Sequence, residues 1–282
     1  MPDFVDFRNR AFSCRIGGNA AHETHRAGYN GVWSLVPEGE SASLFVPEVA
    51  GLNLEHYFDG WHNGTRDIFF EPRVAPMEVE PRGERSVLLR QAPTPFWGVE
   101  SETLFTVREP NVIDLEFRCT PRRAVFNNGV MGVFWASYIN HPTDNPIHFF
   151  GRGADGNEGW QTFASVRHGA ESSVRSRGDA VTVQIAESQQ DKLFSSVTPI
   201  RWLRPYYYGR WRDHVYVVMF RTRELLRFAM SPSGGGQGNP AWDFQILVPG
   251  VVPGQEYLIE ARCVVDRWQG QEWVEQQVRA WR

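Results

Sequence analysis

Apolar residues recur along this chain mainly with a period of two. Val112-Ile113-Asp114-Leu115-Glu116-Phe117-Arg118-Cys119 alternates apolar and charged positions, which predicts a strand with one wet face. Residues 86–91, 103–107, 180–185 and 257–265 carry the same signal. Residues 130–139 and 215–220 are nearly continuous apolar runs and predict central strands covered on both faces. Clusters of Pro, Gly, Asn and Asp separate the runs, at Pro81-Arg82-Gly83, Asn127-Asn128-Gly129, Asp155-Gly156-Asn157 and residues 249–254. A period near 3.6 surfaces once, where Val274, Val278 and Trp281 place three apolar side chains on one face of a short C-terminal helix. No linker and no fixed-period repeat interrupts this pattern. The expectation is one all-β domain spanning residues 1–282, a large antiparallel β-sandwich closed by that helix.

Composition supports the pattern. Twenty-six Gly and 18 Pro supply the turns, and 13% aromatic residues supply bulky cores, a mixture foreign to coiled coils. A net charge of −4 gives no general attraction to nucleic acid or to anionic membranes. No apolar stretch is long enough for a membrane helix, and the N-terminus Met1-Pro2-Asp3-Phe4-Val5-Asp6 lacks a leader's basic and apolar regions. Cys14, Cys119 and Cys263 are odd in number and widely spaced, so they predict neither a disulfide framework nor a zinc site; Cys119 and Cys263, in apolar strand-like runs, read as buried thiols, as fits a cytoplasmic protein. Lys192 is the sole lysine and sits in the polar run 187–192, which reads as a solvated loop; lysine chemistry elsewhere is excluded.

No catalytic signature is present, so candidate chemistry rests on local crowding of polar and aromatic residues. His22-Glu23-Thr24-His25 suits either a turn or a divalent-metal pair, with Arg26 and Tyr29 beside it as pocket groups. No other cofactor site is expected. His56 lies in an aromatic stretch, and beyond it Glu71 and Arg73 flank Pro72. That spacing predicts an extended segment with both side chains on one side, either an edge ion pair or a carboxylate held by a guanidinium. His148, between apolar neighbours, reads as a hydrogen-bonded core residue or as the first candidate for proton transfer. Residues 201–214 interleave four Arg with five aromatics, a pattern that suits sugars and uronates better than nucleic acid in an acidic chain. The glycine-rich segment 231–240 is a rim loop or a plain hairpin loop. It leads into a strand where Trp242, Phe244 and Ile246 face one way, and Asp243 and Gln245 the other.

Two resemblances add to this reading. Phe70-Glu71-Pro72-Arg73, Phe134-Trp135-Ala136-Ser137-Tyr138 and residues 231–245 together resemble a bacterial family over most of the chain, without implying an activity. Residues 248–262 resemble the final strands of galactose-mutarotase-like supersandwich domains, in which a Pro-Gly-x-x-Tyr turn enters a last alternating strand. That resemblance implies a carbohydrate-directed protein, as in aldose epimerases and in domains of polysaccharide lyases and glycoside hydrolases. Aldose epimerases pair a catalytic His with a late Glu; His148 stands in the His position, whereas Glu256 and Glu260 lie in a different context.

The expected function is therefore acid–base chemistry on a sugar or uronate, as an epimerase, lyase or hydrolase, in a cleft on a concave sheet. His148, His56, Glu71 and Glu100 are the candidate catalytic groups. Arg26, Tyr29, Arg73, Trp97, Tyr138, Arg204, Tyr207, Arg210, Trp242, Asp243 and Gln245 are the candidate sugar-binding groups. The alternative is a non-catalytic carbohydrate-binding protein. No nucleic-acid or membrane partner is expected, and the oligomeric state is left open.

Overall fold

A computed structural model describes residues 1–62, 66–222 and 226–281. The chain opens with β1 (Phe4–Arg8), β2 (Phe12–Gly17) and β3 (Gly31–Pro37), then β4 (Asn53–Phe58). Two single-turn helices follow, α1 (Arg66–Phe69) and α2 (Glu71–Val74). Next come β5 (Glu78–Pro81), β6 (Ser86–Gln91), β7 (Val99–Arg108), β8 (Val112–Pro121) and β9 (Val130–Ala136). They lead to β10 (Ile147–Arg152), β11 (Glu158–Phe163), β12 (Ser173–Ser176), β13 (Val197–Trp202) and β14 (Tyr206–Trp211). The last elements are β15 (His214–Phe220), β16 (Leu226–Ser231), β17 (Ala241–Pro249), β18 (Tyr257–Arg267) and the helix α3 (Gln271–Trp281).

β1, β2 and β3 form a three-stranded sheet. The other fifteen strands form one sheet in the order β4-β9-β17-β16-β12-β13-β10-β14-β15-β18-β8-β7-β6-β5, with β11 added beside β10. This sheet doubles back on itself. Phe117 of β8 meets Trp135 of β9 edge-on at 5.2 Å, and Phe220 of β15 meets Phe244 of β17 at 4.7 Å, although these strands are far apart in the strand order. The two arms thus share a main core, as in a sandwich.

The alternation reads out as burial. In β8, Ile113, Leu115, Phe117 and Cys119 are buried, while Asp114, Glu116 and Arg118 are half-exposed. The two continuous apolar runs are explained by two covered faces. In β9, Met131, Val133 and Trp135 enter the main core, and Phe134 and Ala136 enter a second layer on the outward face. In β15, Tyr216, Val218 and Phe220 face the main core, while Val215, Val217 and Met219 lie beneath Val274 and Val278 of α3. All three cysteines are free and buried. Among the described residues no helix is long and apolar enough to cross a membrane.

Three expectations are corrected. The sheet is mixed rather than purely antiparallel, because β12 and β13 run parallel. Residues 180–185 alternate but form no strand: Val181, Val183 and Ile185 pack onto the second layer, and the segment enters no ladder. Alternation reports one dry face, and a ladder additionally needs a partner. Glu71-Pro72-Arg73 is not extended but coils into α2. Proline is tolerated in a first helical turn because its missing N–H would have no partner there, and Ala75 N donates to Glu71 O.

Candidate active site

The site begins with a register slip in β4. Leu54 is opposite Trp135 of β9, yet His56 is opposite the very next β9 residue, Phe134. Glu55 is therefore the extra residue of a β-bulge. Strict alternation would send Glu55 and His56 to opposite faces. With the bulge, Leu54 and Tyr57 both enter the main core, while Glu55 and His56 both line a cavity of about 500 Å³ on the outward face. Ala136 and Asp243 carry the floor across β9 and β17, and Ser231 ends β16 beside them. Phe69, Phe70 and Arg73 form a wall, with Tyr29, Tyr138, His168 and Lys192 on the remaining sides. The volume is typical of small-molecule sites.

Glu55 is the most tightly held group. Its Oε1 accepts a hydrogen bond from Tyr138 Oη at 2.5 Å and one from Arg73 Nη1 at 3.2 Å. Arg73 also donates to Gly28 O at 2.7 Å and lies 3.7 Å over the Tyr29 ring, so its guanidinium is fixed. Burial nevertheless raises the Glu55 pKa above the ordinary glutamate value, opposed first by the Arg73 charge and then by the Tyr138 hydroxyl. Asp243 is fully buried. Its Oδ1 accepts from Ser137 N at 3.1 Å, and its Oδ2 has no partner. Burial, reinforced by the charge of Glu55, pushes its pKa well above 3.8 and so favours the neutral acid. His56 is sandwiched between Phe69 at 4.3 Å and Phe134 at 4.5 Å. Both of its ring nitrogens are buried without a partner, and burial followed by the charges of Arg73 and Lys192 holds its pKa well below 6.5. The cavity thus combines an imidazole and a carboxyl whose neutral forms burial favours with a carboxyl clamped by Arg and Tyr.

The Tyr138 hydroxyl is expected to set the Glu55 pKa. In Tyr138→Phe, loss of a donor to the charged form should move that pKa further up, and stability should fall by about 1–3 kcal/mol. Titration of the Glu55 side chain by carboxyl carbon NMR measures the first effect; a downward movement or none would contradict this assignment.

Of the residues singled out from sequence, the cavity gathers Tyr29, His56, Arg73, Tyr138 and Asp243. Glu55, His168 and Lys192 join them, and sequence reasoning passed over all three as site residues. His168 Nε2 is 2.9 Å from Ser231 Oγ, and Lys192 Nζ pairs with Asp191 at 3.0 Å and lies 5.4 Å from the Phe69 ring. The polar run around Lys192 is therefore part of the cavity wall rather than a plain solvated loop.

Other predicted residues lie elsewhere. His148 stacks on Tyr208 at 5.0 Å, with Nε2 on Asp144 at 3.0 Å and Nδ1 on Thr162 at 3.2 Å, outside the cavity. Glu71 and Arg73 are not partners, because the helical turn separates them. Glu71 caps the backbone N–H groups of Phe96 at 2.5 Å and Trp97 at 2.9 Å, while Arg73 turns to Glu55. Glu100 pairs with Arg122 at the surface. Trp97, Tyr207 and Trp242 are fully buried in the main core and offer no ring to a ligand. Their polar atoms bond internally, Trp97 to Ile68 O, Tyr207 to Trp242 O and Trp242 to Asn145 O. Gln245 shares the outward face with Asp243, but it donates to Ser173 Oγ at 2.6 Å and does not line the cavity. Arg204 pairs with Glu275, Arg210 lies 5.1 Å over Trp268, and Arg26 is exposed above Tyr29. His25 stacks on Trp33 at 4.0 Å, has its Nε2 2.8 Å from Tyr29 O, and is lowered by burial to about 4. Among the described residues no group of three His, Cys, Asp or Glu is placed to hold a metal ion.

No family model matches the chain, and no curated protein sequence matches it. Solved structures do. A candidate aldose 1-epimerase from Escherichia coli K12 superposes over 94% of this chain and 99% of its own, with a TM-score of 0.54 and 8% identity. The fold is galactose-mutarotase-like. The Slr1438 protein of Synechocystis sp. matches over 95% of this chain and 97% of its own, with a TM-score of 0.55 and 9% identity. The α-N-acetylgalactosaminidase NagBb of Bifidobacterium bifidum matches over 98% of this chain and 38% of its own, with a TM-score of 0.52 and 12% identity. At such identities the shared feature is the mutarotase-like sandwich, and side chains must be argued from this chain alone.

Proposed function

We propose that this chain is a carbohydrate-directed acid–base enzyme acting on one sugar unit in the cavity, and that interconversion of anomers is the reaction its groups suit best. The observation that carries this reading is the set of buried atoms without a partner on the cavity wall, both His56 ring nitrogens and Asp243 Oδ2. A buried polar atom without a partner carries a desolvation cost of about 1–3 kcal/mol, which a ligand's hydroxyls would relieve. Two of the structural relatives given above, named for sugar chemistry, support the carbohydrate class.

In this reading Asp243, kept neutral by burial, gives its proton to the ring oxygen, while neutral His56 takes the proton of the anomeric hydroxyl. The bond between the anomeric carbon and the ring oxygen breaks as a carbonyl forms at that carbon. Rotation and closure by the reverse transfers return both protons and deliver the other anomer. Glu55, 4.0 Å from His56 Nδ1 and oriented by Arg73 and Tyr138, offsets the charge that His56 gains. Phe69, Phe70 and Tyr29 replace the buried tryptophans as apolar walls for the sugar ring.

Polarimetry of freshly dissolved α-D-glucose, α-D-galactose and α-D-galacturonate tests the proposal. Wild-type protein should accelerate mutarotation over buffer, and His56→Gln should not. Sugar binding by calorimetry without acceleration would identify a binding protein. Release of reducing ends or of an unsaturated product from a glycoside would identify a hydrolase or lyase; either outcome rejects anomer interconversion.

A further inference from the structure

One transverse row of the large sheet runs from His56 in the cavity through the buried Phe134, Gln245 and Arg227 and emerges, half-exposed, at Arg175, Arg201 and Arg152. His56 is opposite Phe134, Phe134 opposite Gln245, and Gln245 opposite Arg227. The row then runs through Arg175, Arg201 and Arg152, each opposite the last. Residues in register share a face, so four arginines follow one another on the outward face of β16, β12, β13 and β10. Strands lie about 4.8 Å apart, and like charges directly opposite one another destabilise a sheet. The fold gains nothing from this row as such.

Its neutralisation is incomplete. Arg227 is closed off in a bidentate pair with Asp179 at 2.6 and 3.2 Å. Arg152 meets Glu158 at 3.1 Å, and the exposed Arg177 reaches the same carboxylate at 3.9 Å. Among the described residues, Arg175 and Arg201 have no carboxylate within 4.0 Å; Arg201 donates instead to the main-chain oxygens of Thr198 and Ile200. The Nε atoms of Arg175 and Arg152 are buried with no partner. Burial, and next the Arg175 charge, draw the Arg201 pKa below the usual arginine value. Of the four guanidiniums beyond Arg227, Arg152 and Arg177 share the one carboxylate of Glu158, and Arg175 and Arg201 reach none among the described residues, in a chain whose net charge is −4.

We propose that Arg175, Arg201, Arg152 and Arg177 form a surface binding strip for the acidic arm of a uronate-bearing saccharide. The inference rests on the carbohydrate reading of the cavity and names its substrate class. Carboxylates match guanidinium geometry bidentately. At an inter-strand step of about 4.8 Å the strip offers several cations within the reach of one saccharide arm. Nucleic acid is the competing polyanion. It fits less well, because a single strand needs stacking rings between the cations, and the row has none from Arg227 to Arg152.

Affinity electrophoresis through gels containing polygalacturonate tests the strip. Wild type should be retarded, and a methyl-esterified gel should not retard it. The double variant R175Q/R201Q should lose affinity by about tenfold, and E158Q, which removes the strip's one carboxylate, should gain about threefold. R90Q, remote on β6 and paired with Glu102, should be unchanged. If R175Q/R201Q does not fold, the exposed pair R152Q/R177Q takes its place with the same expectation. Equal retardation by the esterified gel, unchanged affinity in the folded double variant, or stronger competition by single-stranded DNA than by oligogalacturonate would overturn the proposal. A failed strip leaves turnover of small sugars intact, whereas a failed cavity reading leaves polymer retardation intact without turnover.

Discussion

Asp243→Asn is expected to lower turnover of the cavity's sugar by about 10²- to 10⁴-fold, the usual contribution of a general acid, while making the fold more stable at neutral pH. Both effects come from one cause. Burial lifts the Asp243 pKa well above 3.8, so the folded protein keeps a proton that the unfolded chain releases. Stability is then complete below pH 3.8 and declines as pH rises from there toward the folded value. Glu55, also raised, contributes with the same sign. Asparagine is neutral at every pH and retains an oxygen for Ser137 N, so the variant lacks the decline that Asp243 causes. Melting temperatures at pH 5 and pH 8 should show the variant's advantage growing with pH. A constant or shrinking difference would mean that Asp243 is ionised in the folded state and cannot be the acid.

Asp179→Ala is expected to cost about 3–5 kcal/mol, the largest single loss of stability foreseen for this chain. The Arg227 side chain is 3% exposed and that of Asp179 1%, so the variant strands a guanidinium in a dry environment. Arg227 also donates to Val181 O at 2.6 Å, and the pair thereby ties residues 179–181 onto the outward face of β16. The apolar run that follows, Val183 and Ile185, should loosen with it. The double variant Asp179→Ala/Arg227→Met should recover most of the loss, because the charge and its desolvation disappear together. Urea unfolding of the three proteins measures this cycle. A single-variant loss below about 1 kcal/mol would mean that water reaches Arg227 and that the segment is not anchored by it.

Much of this architecture is visible in the amino-acid pattern. The period-two runs locate β6, β7, β8 and β18, and the apolar periodicity at Val274, Val278 and Trp281 locates α3. The partition of β17 was legible as well: Trp242 and Phe244 belong to the main core, while Asp243 and Gln245 face outward. Composition misleads where one side-chain type serves two ends. Trp97, Tyr207 and Trp242 have the rings a sugar platform needs, but large rings are also what fills a sandwich core, and depth within the sheet decides between the two. His148 has a suitable imidazole, yet β10 sets it against Tyr208 and Asp144 rather than beside the buried carboxyls.

The sequence by itself determined the class of fold, the faces of most strands, the C-terminal helix and the absence of lysine chemistry except at Lys192, because these follow from local periodicity and residue type. Tertiary structure alone decided that Glu55 joins His56, because a bulge is a property of how β4 pairs with β9 and leaves no mark in β4 itself. It alone decided that Glu71 and Arg73 part company, since Pro72 is equally compatible with an extended strand and a first helical turn. It likewise brought Lys192 to the cavity wall and aligned Arg175, Arg201 and Arg152, residues from three separate strands. Register joins residues remote in sequence, and no local pattern encodes it; that is why the cavity, unlike the strands around it, had to be read from the folded chain.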